Sequence, residues 1–170
     1  MFIRGGLAAL AAVALLAVSV PANAAHDAIA EMKDQKGQRV GTVVLTQTAN
    51  GTLLQANFNA LPWGAHGFHV HAIGNCKAPF KLAGPHYFTT PGKKHGFLNP
   101  NAGHAGDLPN FFVSASGVAE FESVATAVNL DDKLFDGDGA SLVIHAGSDD
   151  YKTDPGGAAG ARIACGIIHR

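Results

Sequence analysis

The chain has 170 residues, with 12 basic and 13 acidic side chains, nine histidines and two cysteines. This length fits one domain with a substantial hydrophobic core. The formal net charge is only −1, and the sequence contains no basic run, which argues against nucleic-acid binding. No stretch after the N-terminal segment has the length and apolarity of a membrane span, so we expect no membrane association once that segment is removed.

The N-terminal segment has the organisation of a secretory signal peptide. Arg4 supplies the positive start, residues 7–20 form an apolar run, and Ala22-Asn23-Ala24 is an A-x-A cleavage signal. The run is short and Ala-rich for a membrane span, although a retained N-terminal anchor is the alternative. We therefore expect a signal peptide over residues 1–24 and a single domain over residues 25–170. The expected compartment is the periplasm, with secretion as the alternative.

The rest of the chain alternates short strand patterns with turn residues and has no 3.6-residue apolar period. Asn50-Gly51 is a strong hairpin signal, and a Ser/Ala/Gly turn is expected to pair the fifth strand with the sixth. Trp63 and Phe68 are expected in the core. The pattern predicts an all-β fold, an eight-stranded Greek-key β-sandwich or flattened barrel with two long functional loops. The expected strands are residues 28–34, 39–46, 51–61, 66–72, 111–114, 117–128, 141–146 and 161–168.

The two long irregular stretches are Ile73–Pro109 and Gly147–Gly160. Loops of this length in compact domains are usually functional. Cys76 lies in the first loop and Cys165 in the last expected strand. An even pair of cysteines in an oxidising compartment predicts one disulfide, with two buried free thiols as the alternative.

His69 and His71 form a His-x-His pair within an expected strand. Side chains alternate along a strand, so these two imidazoles share one face while His66 points to the other. The pair is therefore suited to holding one transition metal, and His66 is expected to be structural. Five further candidate ligands follow along the chain: His86, His95, His104, Asp107 and His145.

These ligands divide by chemistry and location. His95, His104 and Asp107 lie in the first loop, and a set of nitrogens with one carboxylate suits zinc. His69, His71 and His145 come from strands or strand ends, and an all-imidazole set suits copper. Two four-coordinate sites need eight ligands, and there are seven. One histidine, reasonably His86, can bridge through both nitrogens, or one site can keep a water.

Six motifs, in order, resemble those of the copper/zinc superoxide dismutases, most of all the exported bacterial branch. The resemblance extends from about Ala28 to the C-terminus. It implies dismutation of superoxide to dioxygen and hydrogen peroxide by a redox-cycling copper beside a structural zinc, with one ion of each metal per subunit. The motifs are Gly67 to His71, Gly84 to His86, Lys94 to Gly96, Gly103 to Leu108, Val143 to His145 and Ala161 to Gly166.

The resemblance also implies a role for each matched residue. His86 bridges the metals and moves a proton, Arg162 attracts the anionic substrate, and Asp149 links a copper ligand to a zinc ligand. The Cys76–Cys165 disulfide holds the first loop near Arg162. The implied copper ligands are His69, His71, His86 and His145. The implied zinc ligands are His86, His95, His104 and Asp107.

Several alternatives stay open at this stage. A storage or delivery protein of the same fold would lack a copper ligand or Arg162, and a structural zinc sandwich would leave the His69/His71 pair empty. A homodimer is possible. Residues 87–89 read Tyr-Phe-Thr where the family usually has Phe-Asn-Pro, which leaves the loop path from Tyr87 to Pro91 open. Candidate lysines for steering the substrate are Lys77, Lys81, Lys93, Lys94 and Lys152.

Overall fold

The computed structural model describes residues 27–87 and 90–170. The predicted signal peptide, residues 1–24, lies outside these residues. Phe88 and Thr89, within the uncertain loop path from Tyr87 to Pro91, lie outside them as well. None of the helical segments in the described ranges has the length and apolarity to span a membrane.

The described chain is all-β, as the sequence predicts, with nine strands and a single-turn 3₁₀ helix at Lys81–Ala83. All pairings between these strands are antiparallel. The strands are β1 (Asp27–Asp34), β2 (Arg39–Thr48), β3 (Gly51–Phe58), β4 (Gly64–His66), β5 (Phe68–His71), β6 (Phe111–Val113), β7 (Ala119–Ala125), β8 (Ser141–His145) and β9 (Arg162–His169).

Seven strands form one curled sheet in the order β5-β8-β9-β1-β2-β3-β7, and β4 pairs with β6 in a small ribbon. The predicted hairpin at Asn50-Gly51 joins β2 to β3, where Thr48 pairs with Gly51. Residues 126–140 carry the chain from β7 at one edge to β8 next to the other edge. Such a long return connection is typical of Greek-key sheets.

Two details of the strand prediction are wrong. The expected strand 66–72 is interrupted at Gly67, whose N–H donates to Gly147 O and whose carbonyl accepts from His145 N. These bonds to the second loop and to β8 let the chain pass from the small ribbon to the large sheet. The expected pairing of 111–114 with 117–128 also fails. The turn forms through the Ser114 N–H to Val118 O bond, but β6 pairs with β4 and β7 with β3. Because β4 and β5 replace the single expected strand 66–72, the described residues form nine strands instead of eight.

Phenylalanine rings fill one end of the core. Phe58, Phe68, Phe111 and Phe121 lie with ring centroids 4.8–6.1 Å apart, and such pairs stabilise a core beyond their area burial. Phe68 is buried as expected, but Trp63 is 76% exposed, contrary to the prediction. Trp63 immediately precedes β4, and only one face of the two-stranded ribbon packs against the core.

A disulfide and several hydrogen bonds attach the long first loop to the sheet. The predicted disulfide is present, and it joins Cys76 in the loop to Cys165 in β9 with a Cα–Cα distance of 5.5 Å. Closing a loop of this size stabilises a fold by about 4 kcal/mol in the chain-entropy model. Further along, Val70 N in β5 donates to Gly106 O at 2.9 Å, and Tyr87 N donates to Val70 O at 2.8 Å. A side chain at Gly106 would meet the Val70 carbonyl, so glycine lets the loop lie directly against β5.

Candidate metal centre

Six histidines and Asp107 converge where the first loop lies against β5 and β8. The strands supply His69, His71 and His145, and the loop supplies the other four residues. The ligand atoms form two groups, each with its atoms within 4.8 Å of one another, and His86 belongs to both. The remaining described histidines, His66 and His169, belong to neither group.

The first group consists of imidazoles alone and is buried. Its members are His69, His71, His86 and His145. Within residues 27–87 and 90–170, three of their fully buried nitrogens have no hydrogen-bond partner: His69 Nδ1, His71 Nε2 and His145 Nε2. A buried polar atom without a partner costs about 1–3 kcal/mol. Several such atoms facing one space therefore fit a bound cation, and an all-nitrogen set suits copper.

The opposite nitrogen of each ring is held by an acceptor. His69 Nε2 donates to Asp149 Oδ2 at 2.8 Å, His71 Nδ1 to Gly84 O at 2.9 Å and His145 Nδ1 to Gly160 O at 3.1 Å. A neutral imidazole that donates from one nitrogen has a lone pair on the other. The acceptors therefore select the tautomers whose lone pairs point into the first group.

The second group places three ring nitrogens around one carboxylate oxygen. Asp107 Oδ1 lies 2.8 Å from His86 Nδ1, 2.9 Å from His95 Nδ1 and 3.5 Å from His104 Nδ1. Ligands of a tetrahedral zinc with bonds of about 2.0 Å lie roughly 3.3 Å apart. The other carboxylate oxygen of Asp107 accepts from Gly96 N at 2.7 Å. This set of three nitrogens and one oxygen fits zinc.

His86 offers one nitrogen to each group. Its Nδ1 faces Asp107 in the second group, so its Nε2 is the nitrogen available to the first. Counting ligands in the sequence left two possibilities, a bridging histidine or a site completed by water. The shared position of His86 favours the bridge.

Asp149 spans the two groups from behind. Oδ2 accepts from His69 Nε2 in the first group, and Oδ1 accepts from His95 Nε2 in the second at 2.9 Å. A Cβ built on Gly157 would overlap Asp149 Oδ1, and Gly157 also has a positive φ of 66°. Glycine at this position therefore leaves the space that the carboxylate occupies.

The two groups differ in their affinity for protons. Burial lowers the pKa of His69 to about 3 and of His145 to about 4, and it also lowers the pKa of His71 and His86. Burial acts in the same direction on His95, but hydrogen bonds to Asp107 and Asp149 outweigh it and raise the pKa of His95 to about 9. The first group is therefore neutral at pH 7, whereas His95 must lose a proton to bind a metal.

Arg162 lies beside the first group. Its guanidinium donates to Phe80 O at 2.8 Å and to Gly84 O at 2.7 Å. It lines a cavity of about 650 Å³ together with His86 and His145, so a small anion in this cavity meets a fixed positive charge and two imidazoles.

The candidate steering lysines are now distinguishable. Lys93 lines the cavity of Arg162, and its side chain runs across Gly103. Lys94 instead forms an ion pair with Asp154 at 3.3 Å. Lys77 lines a different cavity beside the disulfide, and neither Lys81 nor Lys152 lines the cavity of Arg162.

Sequence reasoning missed the glycines that shape the centre. Gly84 supplies the carbonyl that accepts from both His71 and Arg162, and Gly157 leaves space for Asp149. The cluster of glycines from 156 to 160 was visible in the sequence. Which of them faces a carboxylate depends on the folded loop.

Residues 39–168 match the family model described as copper/zinc superoxide dismutase (SODC). Two similar proteins are superoxide dismutases [Cu-Zn]. The one from Caulobacter vibrioides is 44% identical, covering 83% of this chain and 84% of the relative. Superoxide dismutase [Cu-Zn] 2 from Aquifex aeolicus is 42% identical, and the match covers 95% of this chain and 98% of the relative.

Solved structures give a consistent result. A Cu/Zn superoxide dismutase from Brucella abortus has a TM-score of 0.71 at 32% identity, covering 84% of this chain and 99% of that one. A superoxide dismutase-like protein from Bacillus subtilis has a TM-score of 0.76 at 34% identity, covering 82% and 96%.

The metal-free protein is expected to be most stable near pH 6.5. Below this pH, unfolded histidines bind protons that folded His69 and His145 reject until about pH 3 to 4. Each pH unit therefore costs about 1.4 kcal/mol per histidine. Above pH 6.5, stability falls again, because folded His95 holds its proton up to about pH 9 whereas the unfolded chain releases it. Urea unfolding of chelator-treated protein at pH 4.5, 6.5 and 8.5 measures this profile.

His95→Gln is the matched variant for this profile. It is expected to abolish the decline above pH 6.5 and to keep the decline below it. A stability that rises steadily to pH 8.5 in the unsubstituted protein would contradict the assignment.

Proposed function

Since the chain belongs to the copper/zinc superoxide dismutase family, we propose that it dismutates superoxide at the centre formed by the six histidines and Asp107. Two superoxide anions and two protons give one dioxygen and one hydrogen peroxide. The enzyme is an oxidoreductase, and its cofactors are copper and zinc. The observation that supports this site is the pair of ligand groups sharing His86, beside a cavity that also holds Arg162.

The first group, His69, His71, His86 and His145, would hold copper. The second group, His86, His95, His104 and Asp107, would hold zinc, and each subunit would bind one ion of each metal. Copper bound there would supply the one-electron redox chemistry of the reaction, by alternating between two oxidation states. Fixed imidazoles on β5 and β8 keep the ligand geometry nearly constant between the two oxidation states, which favours fast electron transfer.

His86 and Arg162 are the proposed catalytic residues. His86 Nε2 faces the cavity and can take a proton there while Nδ1 stays with the second group, then give it to the reduced substrate. Arg162 is held by the carbonyls of Phe80 and Gly84. Its positive charge therefore stays at one position in the cavity, where it attracts and orients the anion. A storage or delivery protein of the same fold would lack a copper ligand or this arginine, whereas this chain has all four proposed copper ligands and Arg162.

The finer organisation of the protein is also proposed. The A-x-A signal at Ala22 to Ala24 supports a signal peptide over residues 1–24, with residues 25–170 as the single mature domain. The disulfide supports an oxidising compartment, for which we propose the periplasm. The nearly neutral charge supports a protein without nucleic-acid partners. The intact mass of the exported chain tests the cleavage position.

Metal analysis of the purified protein is the first test. We expect one copper and one zinc per chain with rapid superoxide consumption. His145 belongs only to the first group, so His145→Ala is expected to lose copper and activity and to retain zinc. His169→Ala, an exposed histidine at the end of β9, serves as the control and should change neither. Zinc alone, with no activity after copper is supplied, would instead indicate a structural zinc protein.

Lys93 is expected to accelerate capture of the anion. Its ammonium takes part in no ion pair within residues 27–87 and 90–170, and it lines the cavity of Arg162. Lys93→Gln should lower kcat/KM about twofold at low salt and weaken the dependence of the rate on ionic strength. Lys36→Gln removes the same charge beside a different cavity. Equal effects of the two substitutions would contradict a specific role for Lys93.

A homodimer is proposed through the outer face of the ribbon. Trp63 and Phe112 are 76% and 75% exposed. Phe112 pairs with Ala65, two residues after Trp63, so the two rings lie near one another. Aromatic side chains exposed near one another on a folded surface are typical of protein interfaces. Trp63→Ser combined with Phe112→Ser should convert the dimer to a monomer in analytical ultracentrifugation. Leu98→Ser, at a residue 68% exposed in the first loop, is the control. An unsubstituted protein that sediments as a monomer at micromolar concentration would refute the proposal.

A further inference from the structure

Asn110 joins the two long loops behind the metal centre. It lies three residues after Asp107, between the first loop and β6. Its Nδ2 donates to Asp149 O at 2.8 Å, and its Oδ1 accepts from Asp149 N at 2.8 Å. Its own backbone N–H donates to the Tyr151 hydroxyl at 2.7 Å. One residue at the end of the first loop therefore makes three hydrogen bonds to residues 149–151 of the second loop.

The chemistry of this contact requires a primary amide. A peptide N–H and a peptide carbonyl of the same residue need an acceptor and a donor side by side, which asparagine supplies in one planar group. This pairing also fixes which end of the amide is oxygen. An alanine at position 110 would remove both bonds, and an aspartate would keep only the acceptor.

Asp149 is the residue that this amide holds. Its carboxylate accepts from His69 Nε2 and from His95 Nε2. The residue is buried, with 4% of its surface exposed. Second-loop residues on both sides lack strand pairing, so their backbone position depends on contacts such as these. A shift of the Asp149 backbone would move both carboxylate oxygens away from their histidines.

We propose that Asn110 is a positioning residue for the bimetallic centre, acting through Asp149 on one ligand of each metal. The inference rests on the proposed function of the centre and extends it to a residue that binds neither metal. Groups that orient metal ligands from behind typically contribute 10- to 100-fold in metal affinity. Loss of the Asn110 amide should therefore weaken zinc and copper together.

A double-substitution cycle on zinc affinity tests this proposal. The four proteins are the unsubstituted chain, Asn110→Ala, Asp149→Ala and the combined variant. Zinc dissociation constants are measured by competition with a chromophoric chelator at fixed pH. We expect Asn110→Ala to weaken zinc binding about tenfold and Asp149→Ala at least as much. The combined variant should bind zinc no more weakly than Asp149→Ala alone, because both substitutions interrupt one connection.

Effects that multiply in the combined variant would overturn the proposal, since Asn110 would then act independently of Asp149. Asn99→Ala is the matched control, because among the described residues the Asn99 side chain hydrogen-bonds to the nearby Asn101 backbone in the same loop and to neither metal-ligand group. Its zinc affinity should stay within twofold of the unsubstituted protein. If Asn110→Ala does not fold, Asn110→Asp, with nearly the same size, takes its place in the cycle.

The readout also separates this inference from the proposed function. Zinc affinity is measured without copper or superoxide, so an inactive protein would leave the cycle interpretable. A second readout is the visible absorption of bound Cu(II), which should weaken in Asn110→Ala because a displaced Asp149 no longer orients His69. An Asn110→Ala protein with unchanged affinity for both metals would refute the positioning role.

Discussion

Most of the imidazoles in the metal centre have one nitrogen bound to a protein acceptor and the other directed into a shared space. Placing so many polar rings out of water without partners is unfavourable. The arrangement is stable as a folded protein because backbone carbonyls and Asp149 satisfy the outer nitrogens, and because metal ions can satisfy the inner ones. The rest of the architecture is organised around keeping these rings in place.

Sheet and loops contribute differently to that task. β5 and β8 pair directly, with His69 opposite Val143, so the first group rests mainly on rigid strands. The second group rests on the first loop, whose buried apolar side chains include Phe80, Ala83 and Leu108. The Cys76–Cys165 disulfide, the backbone hydrogen bonds around Gly106 and the hydrogen bonds of Asn110 also fix this loop in place. The more rigid part of the fold would therefore hold the proposed redox metal, and the cross-linked loop would hold the proposed structural one.

Much of this organisation was predictable from the sequence. The His-x-His alternation indicated that His69 and His71 share a face, and the donor types of the loop residues indicated a second metal. What was not predictable involves contacts between distant segments. The chain passes from the ribbon to the large sheet at Gly67, and this passage depends on hydrogen bonds to Gly147 and to His145. The exposure of Trp63 depends on how the ribbon packs against the core. The sequence patterns around Gly67 and Trp63 do not identify these distant contacts.

The carbonyl of Gly84 accepts from a proposed copper ligand, His71, and from the arginine that faces the substrate, Arg162. These two groups are thereby coupled through a single backbone atom. A substitution in the disulfide-tethered segment between Cys76 and Gly84 that moves this carbonyl would displace both. Affinity for the anion and affinity for copper are then linked traits for any substitution that moves this carbonyl.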